Sequence, residues 1–279
     1  MKILITGSGG QLGRALQASA PAHHRVSAPD EADLDITSAT SLDTAMTTLR
    51  PDVIINAAAY TAVDKAESEP ERAHEINAAA VARLAALPAR LVHVSTDFVF
   101  DGTAHSPIPP DARPNPQSVY GASKYAGERA AASNPQALIV RTAWVYASRG
   151  ANFVHTMLRL MRERPEVRVV ADQLGTPTHA DSLARALWSL IDANARGLHH
   201  FTDAGSASWY DFAVAIQQEA LALGLLETAV PVVPIGTADY PTPARRPAYG
   251  LLDKSATWAV AGIPRHWREE LRACLKAMT

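Results

Sequence analysis

The chain has 279 residues, of which 47% are hydrophobic and 19% charged, and its formal net charge is −2. That length suffices for one large α/β domain or a domain and a half. The near-neutral charge and the lack of a Lys/Arg run exclude a nucleic-acid or anionic-membrane footprint, and no apolar run approaches the roughly eighteen residues of a membrane span. The single cysteine, Cys274, excludes an internal disulfide. Because the chain begins directly with a strand, we expect no signal peptide and a cytoplasmic location.

The first predicted strand, Lys2 to Thr6, runs straight into a glycine-rich segment with the spacing G-x-x-G-x-x-G. A strand, a glycine turn and a helix in this order are typical of dinucleotide binding. The first glycine permits a tight turn, the second lets the backbone approach a pyrophosphate at the helix N-terminus, and the third lets the helix lie close to the sheet. We therefore predict that a dinucleotide contacts Gly7, Gly10, Gln11, Leu12 and Gly13.

An acidic residue, Asp30, follows the second predicted strand, about twenty positions beyond the glycines. A carboxylate there can accept hydrogen bonds from both ribose hydroxyls of NAD and would repel the 2′-phosphate of NADP. Asp35 and Ile36 lie slightly further on, where we expect a side chain and the backbone to hold the adenine. Because Arg14 or Arg25 could instead pair with a 2′-phosphate, the choice between NADH and NADPH stays open.

The third predicted strand ends at Asn56 and is followed by three alanines, a tyrosine and a threonine. Small residues at the carboxyl end of a parallel strand leave room for a dinucleotide to cross the edge of the sheet. We therefore expect Ala59, Tyr60 and Thr61 to lie at the cofactor.

The fourth predicted strand, Leu91 to Ser95, is followed by Thr96 and Asp97, and a proline-rich loop then leads to a helix that opens with Tyr120-Gly-Ala-Ser-Lys124. Four residues are about one helical turn, so Tyr120 and Lys124 share a face. An ammonium near a phenol favours the phenolate and lowers its pKa. A hydroxyl from the strand end can hydrogen-bond the same substrate oxygen, which gives a proton donor set for reducing a carbonyl to an alcohol.

Taken alone, Tyr-x-x-x-Lys is a weak signal, because an amphipathic helix can carry this pair by chance. The glycine turn at the start of the chain supplies the context that favours the catalytic interpretation. Asn77, on a predicted helix from Ala73 to Leu87, is expected either to hold a water or backbone carbonyl near Lys124 or to make a plain core hydrogen bond.

Strands and helices alternate from residue 2 to residue 146, which predicts an α/β fold with a doubly wound, Rossmann-like parallel sheet. We assign residues 1–146 to an NAD(P)-binding domain that carries the catalytic Tyr and Lys. Residues 147–279 are expected to form mainly a smaller C-terminal α/β substrate-binding region, with some segments returning to the first domain. The sequence shows no repeat and no metal-spaced cluster, and His199-His200 is expected in a strand.

The chain resembles the extended short-chain dehydrogenases/reductases and, within that superfamily, the dTDP-4-dehydrorhamnose reductases. The glycine turn and Val119-Tyr-Gly-Ala-Ser-Lys124 belong to the whole superfamily. The narrower motifs are Asn56 to Glu67, Ser95 to Phe100, Arg141 to Tyr146, Asp172 to Thr178, and Tyr240 to Pro247. This resemblance covers nearly the whole chain. It implies NADPH- or NADH-dependent reduction of the 4-keto group of dTDP-4-dehydro-β-L-rhamnose, the last step of dTDP-L-rhamnose synthesis.

The resemblance also implies a role for each residue of the proposed catalytic set. Tyr120 would donate the proton, and Lys124 would tune its pKa and anchor the nicotinamide ribose. Thr96 stands where the superfamily often has a catalytic Ser, and its hydroxyl can make the same hydrogen bond.

For the substrate, the resemblance implies that Asp97 and Trp144 contact the sugar and that Arg245 meets the diphosphate. Some relatives carry, at the position of Ala15, a Glu that helps to bind a divalent metal at a dimer contact. Alanine cannot coordinate a metal, so we expect no metal-bridged dimer of that type, while a homodimer of another kind stays open. We expect a small-molecule dTDP-sugar as the substrate, no bound metal, and no binding to nucleic acid or to a membrane.

Two alternatives remain open. One is another sugar-nucleotide reductase or epimerase, which would differ in the C-terminal half. The other is a non-catalytic NADP-binding protein that resembles the regulatory subunit of methionine adenosyltransferase. The complete set of Thr96, Tyr120 and Lys124 favours a reductase, as does the loop from Tyr240 to Pro247, because a regulatory subunit has no need of a complete sugar site.

Overall fold

A computed structural model describes all residues, 1–279. At its centre is a six-stranded sheet, in which every neighbouring pair of strands is parallel. Its strands are β1 (Lys2–Thr6), β2 (Arg25–Ser27), β3 (Val53–Asn56), β4 (Arg90–Thr96), β5 (Leu138–Thr142) and β10 (Gly197–His200). Their spatial order is β10-β5-β4-β3-β1-β2. The predicted doubly wound parallel sheet is confirmed. The chain adds β2 on one side of β1 and then β3, β4, β5 and β10 on the other side, so the strand order reverses between β1 and β3.

Helices cover both faces of this sheet. They are α1 (Gln11–Ala18), α2 (Ala39–Leu49), α3 (Val63–Ala66), α4 (Pro70–His74), α5 (Ala80–Ala85), α6 (Val119–Ala131) and α8 (Ala180–Asp192). A π-helical turn, Glu75–Ala79, joins α4 to α5, so the predicted helix from residue 73 to residue 87 is interrupted at Asn77. Such turns are often found at functional sites.

The alternation of side chains along each strand divides the core into two layers. Ile3 and Ile5 of β1 pack in one cluster with α1 and α8, whereas Leu4 between them packs in another with α2, α5 and α6. Apolar residues on both faces account for the unbroken hydrophobic runs of these strands, as expected for a sheet covered on both sides.

The second half of the chain forms a further hydrophobic core, built around Phe212, Ile216 and Leu271. Its elements are β6 (Val145–Tyr146), α7 (Phe153–Glu163), β7 (Val167–Val170), β8 (Leu174–Gly175), β9 (Thr178–His179), β11 (Ala207–Ser208), α9 (Trp209–Ala222), β12 (Val232–Ile235), α10 (Ser255–Ala261) and α11 (Trp267–Lys276). The strands pair as β6 with β9, β7 with β12 and β8 with β11. Helix α8 packs on the large sheet and β10 belongs to it, so these two segments return to the first domain. The assignment of cofactor binding to residues 1–146 and of substrate binding mainly to residues 147–279 stays a prediction.

Two expectations about the elements need correction. The sequence predicts a second strand from His24 to Ala28, whereas the strand in the structure is shorter and spans Arg25–Ser27. The sequence also predicts that Ala143 to Tyr146 continue the strand from Ala137 to Thr142. They do not prolong β5, because Trp144 adopts a left-handed backbone conformation (φ 49°) and Val145–Tyr146 pairs separately with β9. His199 and His200 do lie in a strand. None of the helices is long and apolar enough to cross a membrane.

Candidate active site

The parallel register brings polar strand ends together at one edge of the large sheet. Thr6 lies beside Asn56, and Thr96 lies beside Thr142. The glycine turn follows the first of these ends. Gly7 has a φ of +67°, and a Cβ at this position would lie 2.5 Å from the backbone nitrogen of Ala58. Only glycine satisfies both constraints, so the tight turn predicted at Gly7 is confirmed.

The third glycine of the motif has a different neighbour from the one expected. A Cβ at Gly13 would collide with the carbonyl oxygen of Gly7, so Gly13 lets α1 pack on the turn rather than on the sheet. Gly10 precedes the helix and provides no side-chain cap. The first N–H groups of α1 therefore have no side-chain acceptor there, which suits the pyrophosphate of a dinucleotide.

Two further predicted cofactor residues open the same helix. Leu12 is buried in the core. The side chain of Gln11 turns to the loop after β6, where its Oε1 accepts a hydrogen bond of 2.9 Å from Asn152 Nδ2. Any contact of these two residues with a pyrophosphate would therefore come from their backbone. Contact with a cofactor stays a prediction for the whole motif.

The loop that carries Asp30 lies beside the glycine turn, because the hydroxyl of Ser8 donates a 2.7 Å hydrogen bond to the carbonyl of Pro29. Asp30 is exposed, and its Oδ1 accepts hydrogen bonds from the backbone N–H groups of residues 32 and 33. Asp35 is also exposed, and hydrogen bonds from Thr37 lower its pKa, whereas Ile36 is buried. The carboxylate of Asp30 thus stays open to a ribose, and its contact with one stays a prediction.

A buried side chain, Asn77, holds the backbone of the segment after β3. Asn77 Oδ1 accepts a 2.9 Å hydrogen bond from the backbone of Tyr60, and its Nδ2 donates to the Tyr60 carbonyl and to the hydroxyl of Ser123. Asn77 therefore makes buried hydrogen bonds and also holds a backbone carbonyl, next to Ser123, the neighbour of Lys124. These bonds place the backbone after Ala59 next to α6, with Thr61 exposed. The role of this segment at the cofactor stays a prediction.

The structure brings together the three residues of the predicted catalytic set. Helix α6 begins after Ser118, whose side chain caps it, and Tyr120 stands in its first turn. Lys124 is buried one turn further on, and its Nζ donates a 2.7 Å hydrogen bond to the carbonyl of Val94. Thr96 ends the same strand, β4, and the ring of Phe98, two residues beyond it, lies edge-on to the ring of Tyr120 with centroids 5.5 Å apart.

The expected lowering of the phenol pKa is wrong for this structure. Burial raises the pKa of Tyr120 to about 12, and the interaction with Thr96 offsets only part of that rise. The ammonium of Lys124 is bonded to β4 instead, and burial lowers its own pKa to about 8. At neutral pH the phenol therefore keeps its proton, which is the state that a proton donor requires.

Asp97 follows Thr96 and is almost fully buried. Its Oδ1 accepts a 3.1 Å hydrogen bond from the hydroxyl of Thr96, and burial raises the pKa of Asp97 to about 7. A Cβ at Gly250 would lie 2.6 Å from Asp97 Oδ2, so the C-terminal half approaches this carboxyl closely only because residue 250 is glycine.

The two other predicted substrate residues, Trp144 and Arg245, lie in different surroundings. Trp144 is half-buried and stacks on Trp209, with ring centroids 3.6 Å apart, and a Cβ at Gly175 would lie 2.6 Å from its ring. Arg245 is exposed, and its one side-chain contact is a long hydrogen bond of 3.5 Å to Gln117. Contact of either residue with a sugar nucleotide stays a prediction.

The whole chain, residues 1–279, matches the model of the RmlD substrate binding domain family. The chain belongs to this family. A dTDP-4-dehydrorhamnose reductase of Aggregatibacter actinomycetemcomitans is 42% identical over 97% of each chain. A solved dTDP-4-dehydrorhamnose reductase of Clostridium acetobutylicum has a TM-score of 0.93 at 42% identity and covers 100% of this chain and 99% of its own. The enzyme of Bacillus anthracis, solved in complex with NADP, has a TM-score of 0.91 at 36% identity over 99% of both chains.

Sequence reasoning assigned no role to a buried ion pair beneath the catalytic helix of this RmlD-family protein. Glu128, one turn beyond Lys124 on α6, accepts hydrogen bonds of 2.8 and 2.7 Å from the guanidinium of Arg141 and one of 2.6 Å from Ser95. Both charged side chains are nearly inaccessible. The pair ties α6 to β4 and β5. The i, i+4 spacing from Lys124 was the signal that could have drawn attention to Glu128.

Three residues that the sequence spacing did not connect also meet in this RmlD-family fold. His23, His24 and Asp192 form a group that could hold a metal ion, with both imidazole Nε2 atoms within 3.1 Å of Asp192 Oδ1. His23 and His24 precede β2, and Asp192 ends α8. The group therefore lies at the amino ends of the strands, whereas the catalytic set lies at their carboxyl ends. It therefore has no part in the site described above.

Proposed function

We propose that this protein is a dTDP-4-dehydrorhamnose reductase, which uses NADPH or NADH to reduce the 4-keto group of dTDP-4-dehydro-β-L-rhamnose to the alcohol of dTDP-L-rhamnose. The observation that carries this proposal is the convergence of Thr96, Tyr120 and Lys124 at the end of β4, in a chain that matches relatives of that name over almost its full length. We also propose a cytoplasmic location, where a nicotinamide cofactor and a sugar nucleotide are both supplied.

The glycine turn and the uncapped start of α1 fit the pyrophosphate of a nicotinamide dinucleotide. Asp30 would accept hydrogen bonds from the ribose hydroxyls at the adenine end, and Lys124 would donate hydrogen bonds to those at the nicotinamide end. When bound, the reduced nicotinamide supplies a hydride to the carbonyl carbon. The solved relative with NADP supports the phosphorylated cofactor, while Asp30 supports NADH, so we propose that both are accepted.

The chain's own contribution to the reaction is a proton at the carbonyl oxygen. Tyr120 keeps its phenolic proton at neutral pH and is the donor when negative charge develops on that oxygen. The hydroxyl of Thr96, which donates to Asp97 Oδ1 in this structure, would turn its proton to the same oxygen and so hold that oxygen beside the phenol. Lys124 stays mostly charged at neutral pH, and its bond to the Val94 carbonyl holds the helix that carries Tyr120 against β4.

The sugar nucleotide needs contacts that the glycine turn cannot give. Asp97 and Trp144 would lie against the sugar. Arg245 would pair with the diphosphate, because its planar guanidinium can donate two hydrogen bonds to one phosphate. The access of Arg245 to solvent and its single long contact support its availability for this role.

The proposal is tested by incubating the purified protein with dTDP-4-dehydro-β-L-rhamnose and each reduced nicotinamide in turn. We expect loss of the nicotinamide absorbance together with formation of dTDP-L-rhamnose in equal amount. UDP-4-keto-sugars serve as the control for nucleotide choice. Binding of a nicotinamide without any reduction of the keto-sugar would favour the non-catalytic alternative.

A further inference from the structure

One narrow motif of the sequence, Asn56 to Glu67, has an end that the proposed function does not explain. Its last residues belong to the short helix α3 and the position just after it. Asp64 in this helix forms a bidentate ion pair with Arg246, 182 positions away in the chain, through contacts of 3.0 and 2.7 Å. It also accepts a 3.2 Å hydrogen bond from the backbone N–H of Ala244. One carboxylate thus holds both sides of Arg245.

The loop around Arg245 is organised by this contact. Arg246 also donates hydrogen bonds to the hydroxyl of Thr242 and to the carbonyl of Ala244, so its guanidinium joins the loop to Asp64. The hydrogen bond from Arg246 holds the pKa of Asp64 below its usual range, so the carboxylate stays charged at neutral pH. Arg246 therefore has its charge compensated within the protein, whereas Arg245 does not.

The other end of α3 contacts the catalytic helix. Glu67 Oε1 accepts a 2.8 Å hydrogen bond from the backbone N–H of Val119, the first residue of α6 and the neighbour of Tyr120. This N–H is one of the groups at a helix N-terminus that have no partner within the helix, and a carboxylate there also interacts favourably with the helix dipole. Glu67 therefore fixes the start of the helix that carries the proton donor.

We propose that Asp64 and Glu67 are positioning residues that hold the two halves of the active site in register: Asp64 holds the loop that presents Arg245 to the diphosphate, and Glu67 holds the helix that presents Tyr120 to the keto group. The proposal rests on the proposed function. Neither residue touches substrate in this account. The two carboxylates are three positions apart, so a displacement of α3 would misplace both the phosphate contact and the proton donor.

The first experiment separates substrate binding from turnover. Asp64→Asn keeps the size of the side chain but removes the charge that holds Arg246. We expect KM for the keto-sugar nucleotide to rise about three- to tenfold, a modest effect because the ion pair is partly exposed, with kcat and cofactor Kd within about twofold of wild type. Asp43→Asn, an exposed acid on α2, is the matched control and should change none of these values.

A double-mutant cycle tests whether Asp64 acts through Arg246. We expect Arg246→Ala to raise KM as Asp64→Asn does, and the double variant to be no worse than either single variant. Fully additive effects would overturn the proposal. A fall in KM for Asp64→Asn would overturn it as well, because that result means Asp64 only masks the charge of Arg246.

Substitution of Glu67 should affect kcat rather than KM. We expect Glu67→Ala to lower kcat about three- to tenfold with KM nearly unchanged, because the proton donor is displaced while the diphosphate contact is kept. Glu67→Gln should restore most of the loss, since its amide oxygen can still accept from Val119. An equal effect of Glu67→Ala on kcat and KM, or no effect on either, would contradict a positioning role.

Amide hydrogen exchange tests the role of Asp64 in the protein without substrate, and so separately from the proposed function. In the full-length protein without substrate, Asp64→Asn should speed amide exchange in the 241–249 segment, and Asp43→Asn should not. Unchanged exchange there overturns the role of Asp64 whatever the substrate is. Failure of the wild type to reduce the keto-sugar, with faster exchange in Asp64→Asn, would instead refute the proposed function and retain the role of Asp64 in holding the loop.

Discussion

Lys124 Nζ donates a hydrogen bond of 2.7 Å to the carbonyl of Val94, two residues before Thr96 on the same strand. Because Lys124 and Tyr120 lie on one helix, this bond ties the helix that carries the phenol to the strand that carries the hydroxyl. The ammonium is buried, and desolvation lowers its pKa to about 8. Its charge therefore changes within the range in which the enzyme can be assayed.

We expect Lys124→Met to lower turnover and to weaken the binding of NADPH and NADH, because one ammonium serves both functions. In the wild type, the Kd of the cofactor should increase as the pH rises through about 8, where the ammonium loses its proton. The variant should lack that step. Titrations followed by nicotinamide fluorescence from neutral to alkaline pH measure it, and an identical pH dependence in both proteins would exclude Lys124 as its source.

Cofactor choice should respond to Asp30. A carboxylate beside a 2′-phosphate is unfavourable, so Asp30→Ala is expected to shift the preference toward NADPH. Asp33→Ala, which removes another exposed acid from the same loop, is the matched control. The ratio of kcat/KM for the two cofactors is the measurement. Should the wild type already prefer NADPH many-fold, Asp30 does not contact the ribose, and Arg14 becomes the better candidate for a cofactor contact.

The two adjacent arginines of the substrate loop should differ in their effect on KM. Arg245→Ala is expected to raise KM for the keto-sugar nucleotide about ten- to a hundredfold, which corresponds to the loss of one charged hydrogen bond. Arg246→Ala should have a smaller effect, because Arg246 is paired with Asp64. If neither substitution weakens substrate use, the diphosphate is held elsewhere and this loop is structural.

The buried carboxyl of Asp97 should make the free energy of unfolding depend on pH. Burial raises its pKa to about 7 from an ordinary 3.8, so its contribution to stability is full below about pH 4 and is lost as the pH rises through 7. Asp97→Asn cannot ionise, and its free energy of unfolding relative to wild type should therefore increase by on the order of 2 kcal/mol between about pH 5 and pH 8. Urea unfolding at both pH values measures this difference, and a constant difference would show that Asp97 ionises normally in the folded protein.

The features that could be predicted from the sequence are those encoded within one or two consecutive elements. The strand, turn and helix around Gly7 follow from local periodicity and glycine spacing, and so does the helix that carries Tyr120 and Lys124. The alternation of such units predicted the parallel sheet. What these units share is that each is specified by neighbouring residues, whatever the rest of the chain does.

Other features depend on contacts between distant parts of the chain. The ion pair of Asp64 with Arg246 and the stack of Trp144 on Trp209 join residues whose spacing carries no signal. The state of Tyr120 could not be read from its spacing to Lys124 either. The phenol pKa is set mainly by burial, and burial follows from the packing of the whole domain.

The most direct test of the account is the rate at which Tyr120→Phe reduces dTDP-4-dehydro-β-L-rhamnose. The substitution removes only the phenolic oxygen, so the cofactor Kd should stay at its wild-type value. Loss of a general acid typically lowers the rate about 10²- to 10⁴-fold, and we expect kcat to fall by about 10²-fold or more. A variant that binds NADPH or NADH normally but turns over slowly agrees with the account. Near-normal turnover would contradict it, because Tyr120 would then not be the proton donor.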